Sequence, residues 1–223
     1  MKFRFVVLCA LSLLSLPALA ENQRYDQVDF SSSVEQEVAN DLMTATMSVE
    51  VNGAKAADVA RQINTTLNAA LRKAAAFSGI KASSGNQRTY PVYGKSNRQL
   101  ESWRGHAEIR LESRDFEKMG ELIAQLQQNM QLQDVQFSIS TEIRQQVEDA
   151  LIAKAIAAFK QRAKKVATAM GGMGYKIIHI SINNGGYPRP MLAMAKAAIP
   201  APQFAGGESA MTVQVSGTIQ VVR

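Results

Sequence analysis

Hydrophobic and polar residues alternate in some stretches and recur at helical spacing in others, which predicts a mixture of strands and helices. Met43, Met47 and Val51 belong to a run in which every second residue is apolar, the pattern of a half-buried strand. From Ala56 to Phe77, apolar residues recur every three or four positions, as on one face of a helix. In chain order the predicted elements are strands at 34–38 and 42–51, a helix at 56–77, strands at 87–93 and 99–113, a helix opened by Asp115, a strand at 135–139, a long helix from Ser140 or Thr141 to Met170, and strands at 176–182 and 211–221.

This order of elements predicts an α+β fold. From residue 42 onward the chain reads β-α-β-β-α-β, which resolves into two βαβ-like halves sharing a mostly antiparallel sheet. The long helix and two C-terminal strands then follow. We expect residues 34–223 to form a single domain.

A long segment at 183–208 breaks the compact pattern. Its 26 residues are rich in Gly, Pro, Ala and Met and have no convincing period. We interpret it as a candidate interaction loop carrying Tyr187, Arg189, Met191, Met194 and Phe204. Two interpretations stay open: a surface for assembly or a partner, or a loop that folds back on its own domain.

The first 20 residues have the form of a cleavable secretory signal. Lys2 and Arg4 precede an apolar run that is too short for a comfortable membrane span. The run ends in a small-x-small site that predicts cleavage between Ala20 and Glu21. Residues 21–33 are polar and are expected to form a flexible lead-in. The predicted location is the periplasm, with secretion, or an uncleaved anchor, as the alternatives.

Residue chemistry favours no reaction. The single Cys, Cys9, lies in the predicted leader, so cleavage leaves no thiol for a disulfide, a zinc site or a nucleophile. His106 and His179 each fall in a predicted strand without a third ligand at local spacing, and a catalytic imidazole needs a nucleophile or an orienting carboxylate nearby in space. We therefore predict no catalytic, cofactor-binding or metal-binding residues and no enzymatic activity. A hydrolase built from residues distant in sequence is the less favoured alternative.

The long helix carries a candidate cationic face. Between Ala150 and Met170 there is no acidic residue. The five cations of this stretch are Lys154, Lys160, Arg162, Lys164 and Lys165, outside an apolar stripe predicted at Ile152, Phe159, Ala163, Val166 and Met170. Such a face attracts an anionic envelope surface or is simply solvated. Nucleic acid is not expected, given the predicted address and the few aromatic residues.

Methionine supplies an alternative function. Met191 and Met194 have the spacing of soft thioether ligands, which favour Cu(I), and thioethers also buffer oxidants. The other methionines considered, Met43, Met47, Met119, Met130 and Met170, fall on predicted core faces.

Several runs resemble the SIMPL domain family, which includes bacterial periplasmic immunogenic and oxidative-stress-defence proteins. The similar runs are 42–51, Tyr90-Pro-Val-Tyr93, Trp103-Arg-Gly105 with the strand after it, 135–140, and the Ala-, Lys- and Arg-rich stretch 153–171. Asn40-Asp41 stands where many members carry Pro-Asp.

The resemblance covers roughly residues 30–223. It implies envelope stress physiology and a tendency to self-associate, and it carries over no catalytic residues. The predicted function is therefore a non-enzymatic periplasmic protein that acts as a homo-oligomer or by binding an envelope partner in oxidative-stress defence.

Overall fold

The computed structural model describes residues 25–94, 99–185, 189–190 and 205–223, and it has an α+β fold with two antiparallel sheets. In chain order the elements are β1 (Gln27–Ala39), β2 (Leu42–Gly53), α1 (Ala56–Ala75), β3 (Ile80–Tyr93), β4 (Leu100–Ser113), α2 (Phe116–Leu126), β5 (Gln131–Ser138), α3 (Thr141–Ala169), β6 (Gly174–Asn184), the two-residue β7 (Arg189–Pro190) and β8 (Glu208–Val222). No helix in these ranges is long and apolar enough to cross a bilayer.

The first sheet has the strand order β3-β4-β2-β5 and contains the predicted β-α-β-β-α-β unit. Every neighbouring pair is antiparallel, because β4 lies between β3 and β2, the two strands that α1 joins. The alternating apolar residues of β2 and β4 pack against α1 and α2, with Met47, Ile109 and Leu122 fully buried. The predicted arrangement of two βαβ-like halves is confirmed.

The second sheet has the order β1-β8-β6 and is covered by α3. Phe30 of β1 stacks on Phe159 of α3, with ring centroids 4.5 Å apart. Val213, Val215 and Ile219 of β8 complete a core separate from that of the first sheet. The described part of the protein therefore has two hydrophobic cores, one for each sheet.

The expected lead-in at 21–33 is wrong from Gln27 onward, since β1 begins there. Val28 and Phe30 alternate with polar residues and pack into the second core. The run of three serines at 31–33 hides this alternation in the sequence, because serine marks loops more often than strands. A similar effect hides the start of β3, which begins at Ile80 and not at residue 87.

The predicted helix starts are confirmed. Asp115 caps α2 by accepting a hydrogen bond from the Lys118 N–H at 3.1 Å. Ser140 occupies the N-cap of α3, although its side chain makes no cap hydrogen bond. Residues 95–98 lie outside the described residues, but the Gly94 N–H donates to the Gln99 carbonyl at 3.0 Å and links β3 to β4.

Candidate functional site

All five predicted cations of α3 are exposed, and we call this group the cationic face: Lys154, Lys160, Arg162, Lys164 and Lys165. They are displayed because a straight helix places its buried stripe on the opposite side. The residues of that stripe recur every fourth position and are fully or almost fully buried: Leu151, Ala155, Phe159, Ala163 and Ala167.

The predicted apolar stripe was partly wrong. Phe159 and Ala163 are buried as expected, whereas Ile152 and Val166 lie at its margin and are half-buried. Met170 is 44% exposed, because it follows the last helical residue. The predicted burial of Met43, Met47, Met119 and Met130 is confirmed, so Met170 is the exception among those five.

Two cations of the cationic face are oriented by β1. Lys154 Nζ donates to Gln36 Oε1 at 3.0 Å, and Arg162 Nη1 donates to the Ser31 carbonyl at 2.6 Å. These bonds fix the side of α3 that faces β1. Lys160 lies on the other flank, where its carbonyl accepts a hydrogen bond from the Tyr175 hydroxyl at 3.2 Å. The five cations consequently cover a broad arc of the helix.

Most of the candidate interaction loop lies outside the described residues. The described residues do not include Tyr187, Met191, Met194 and Phe204 of the loop. They also do not include Ala20 and Glu21 at the predicted cleavage site. Arg189 belongs to β7, where its backbone pairs with Ala210 of β8. The loop is also shorter than predicted, since residues 183–184 belong to β6 and residue 208 to β8.

Residues distant in sequence meet where the chain passes from one sheet to the other, and we call this contact the junction. Asn40 Nδ2 donates to the Gly206 carbonyl at 2.8 Å, and Asn40 Oδ1 accepts from Ser209 Oγ at 2.7 Å. The Asn40 N–H donates to the Gly207 carbonyl at 3.0 Å. Asn40 is 8% and Ser209 is 1% exposed, so these bonds are shielded from water.

Asp41 extends the junction towards α3. Its Oδ1 accepts a hydrogen bond from the Ser140 N–H at 2.6 Å, and Arg114 Nε lies 3.5 Å from its Oδ2. Arg114 also pairs with Glu142. Burial opposes ionisation of Asp41, but the hydrogen bonds from Ser140 and the Arg114 charge outweigh it and lower the pKa of the Asp41 carboxyl.

Sequence reasoning missed the polar face that the first sheet turns away from its helices. His106 Nε2 lies 2.8 Å from Glu108 Oε1, and Arg104 lies 3.4 Å from Glu50 on the neighbouring strand. The period-two alternation of β4 was the signal that could have found it, because the odd positions are apolar. Arg104 and Arg110 pair with Glu50 and Glu112 on this face, which leaves it no strong net field.

A groove of about 260 Å³ runs between α1 and α2. Lys73 crosses it, with Nζ 3.4 Å from the Gln125 carbonyl, and Thr65 and Asn129 add polar groups to its rim. Among the residues that the structure describes, no group of three His, Cys, Asp or Glu side chains could hold a metal ion.

The architecture defines a class of α+β proteins in which a split βαβ sheet and a long helix lie in the chain between the first and the C-terminal strands of a second sheet. Residues 28–219 match the family model SIMPL, described as a protein of unknown function (DUF541). The chain belongs to the SIMPL family. A search of curated proteins found no matching relative.

Proposed function

We propose that this chain is an exported, non-enzymatic protein of the periplasm that assembles into a homo-oligomer and acts in envelope defence against oxidative stress. The family resemblance suggests the stress role and the self-association. The basic start, apolar run and Ala20-Glu21 site suggest the address.

The observation that carries the proposal is the edge of the second sheet formed by β6 and β7. Both pair with β8 on one side, and within the described ranges no strand pairs with their other side. An unpaired edge offers backbone N–H and carbonyl groups to another chain. Tyr187 and Met191 flank β7 in the sequence, and both belong to the residue types that are enriched at protein interfaces.

The junction also supports the proposal, because it holds Gly206 and Gly207 at the C-terminal end of the candidate interaction loop. Gly206 and Gly207 are held by Asn40 at the passage between the sheets. The candidate loop thus follows an open sheet edge and ends beside the hydrogen-bonded junction. Such an arrangement positions a loop for binding while the scaffold stays intact.

Replacing residues 191–204 by a short Gly-Ser linker tests the proposal. This variant keeps β7 and the two glycines that bond Asn40. We expect an unchanged circular dichroism spectrum, loss of the oligomer in light scattering, and peroxide sensitivity equal to that of a deletion strain. The matched control replaces residues 95–98, which follow Gly94, by Gly-Ser of equal length.

The variant with residues 95–98 replaced is expected to retain the native mass and the stress tolerance. An unchanged mass and unchanged tolerance in the 191–204 replacement would refute the proposed role of the loop in assembly.

A further inference from the structure

Positive charge is concentrated in the C-terminal third of the chain. Beyond Asp149 the sequence holds nine Lys and Arg residues and a single acid, Glu208. Since residues 21–149 carry 14 Lys and Arg against 18 acids, the two parts of the exported chain have opposite net charge. Such asymmetry is typical of chains that bind a polyanionic surface.

Four exposed apolar side chains lie at the end of the second sheet where α3 stops. We call them the apolar tip: Tyr25, Met170, Met173 and Val222, which are 68%, 44%, 87% and 48% exposed. The backbone brings them together, because the Met173 N–H donates to the Val222 carbonyl at 2.8 Å and the Val221 N–H donates to the Asp26 carbonyl at 2.8 Å.

The apolar tip adjoins the cationic face. Lys165 precedes Met170 by five residues on α3, which is roughly 8 Å along the helix axis. Arg223, the residue after Val222, is paired with Asp26 at 2.8 Å, and Lys176 lies on the face of β6 turned away from α3, so the cations beside the tip are those of α3. Exposed apolar side chains next to lysines are the combination that binds the interface of an anionic bilayer.

The opposite face of the second sheet carries more acids than cations, with Lys176 as a cation of β6 on that side. Asp29, Glu35 and Glu37 occupy positions of β1 that alternate with those packed against α3. Negative lipid headgroups would repel that face and attract the cationic one. The charge distribution therefore selects one orientation.

We propose that the apolar tip and the cationic face dock the second sheet onto the surface of an anionic lipid bilayer. Met170 and Met173 enter the headgroup region, while Lys164 and Lys165 approach the lipid phosphates. The inference goes beyond the proposed function and needs from it only export to a compartment with a membrane surface.

Vesicle co-sedimentation of the exported protein, purified as the cell processes it, tests the inference. Vesicles contain phosphatidylcholine alone or in equal parts with phosphatidylglycerol. We expect binding to the anionic vesicles and at least tenfold weaker binding to the neutral ones, with a strong decrease at high salt. Removing a lysine near the surface weakens binding about fivefold.

Two double variants separate the contributions. Lys164→Glu with Lys165→Glu is expected to weaken binding by more than tenfold, and Met173→Ser with Val222→Ser by about tenfold. The matched control, Lys55→Glu with Lys81→Glu, makes the same change in net charge at exposed positions of the first sheet unit. It should alter binding less than twofold, and circular dichroism checks that all variants fold.

Equal binding to neutral and anionic vesicles, or an equal loss in the control, would overturn the inference. The inference would also fail if the Lys164 and Lys165 variant lost self-association in the absence of lipid but kept its vesicle binding. The cationic face would then contact a second copy of the chain. A protein that is monomeric in solution yet binds anionic vesicles refutes only the proposed assembly.

Discussion

At the scale of single residues, Asn40 joins parts of the chain that are far apart in sequence. Its amide and its backbone N–H make three hydrogen bonds with Gly206, Gly207 and Ser209. A proline at this position would have neither group. The buried Ser209 hydroxyl therefore depends on asparagine in this chain.

Replacing Asn40 by alanine should lower the free energy of unfolding by about 2 kcal/mol. The substitution removes two shielded side-chain bonds and leaves Ser209 Oγ without its acceptor. Urea denaturation followed by circular dichroism measures the effect. Asn52→Ala is the matched control, since Asn52 is exposed and its side chain accepts a hydrogen bond from the half-buried Arg104, and about 0.5 kcal/mol or less is expected there. Equal losses in both variants would contradict a special role for the junction.

Asp41 should make stability depend on pH in the acid range. Because its pKa is lowered in the folded chain, its charged form stabilises the fold above the unfolded pKa, about 3.9, and this contribution is lost as pH falls through the folded pKa. Asp41→Asn should therefore be less stable than the wild type at pH 7, with the difference shrinking below about pH 4.

Urea midpoints measured between pH 7 and pH 2.5 check this dependence, with Asp134→Asn on exposed β5 as the control for losing one negative charge. A stability difference between wild type and Asp41→Asn that stays constant over this range would show that Asp41 acts without its charge.

The role of a residue was predictable from the sequence where it depends on near neighbours in the chain. Asp115 was identifiable as a cap because its role depends on residues three positions away. Met170 was misplaced because helical periodicity does not reveal where a helix ends. The bonds of Asn40 were beyond sequence reasoning, because Ser209 lies 169 positions further along the chain.

At the scale of elements, α3 and β1 depend on each other. The start of α3 was predictable from its N-cap residue, but the packing of Phe159 against Phe30 was not. That stacking explains why 27–33 is a strand although its serines are typical of a loop. Tertiary packing here overrides local propensity.

Phe159→Ala should cost about 3–5 kcal/mol and act mainly on the second sheet. Phe159 is fully buried and fills the space between α3 and β1, so its removal leaves a cavity in one core only. Hydrogen exchange read by mass spectrometry should show faster exchange in β1, β6 and β8. The matched variant Leu122→Ala, in the first core, should show the reverse pattern. A uniform loss of protection across both sheets after either substitution would contradict independent cores.

At the scale of the whole molecule, the order of strands and helices was enough to predict the α+β class and the split βαβ sheet. It did not reveal that β1 joins the C-terminal strands, because that pairing closes a loop of about the whole chain. Of the candidate site, the exposed cations were predictable from helical periodicity. The apolar tip was not, because it forms only where the start of β1, the end of β8 and the end of α3 come together in the fold.

The native mass of the exported protein tests the central claim most directly. Light scattering after size exclusion should give a closed oligomer of one defined mass, unchanged on dilution, because assembly through the open β6–β7 edge and the candidate loop is expected to satisfy a fixed set of contacts. A monomer at every concentration would contradict the proposed assembly.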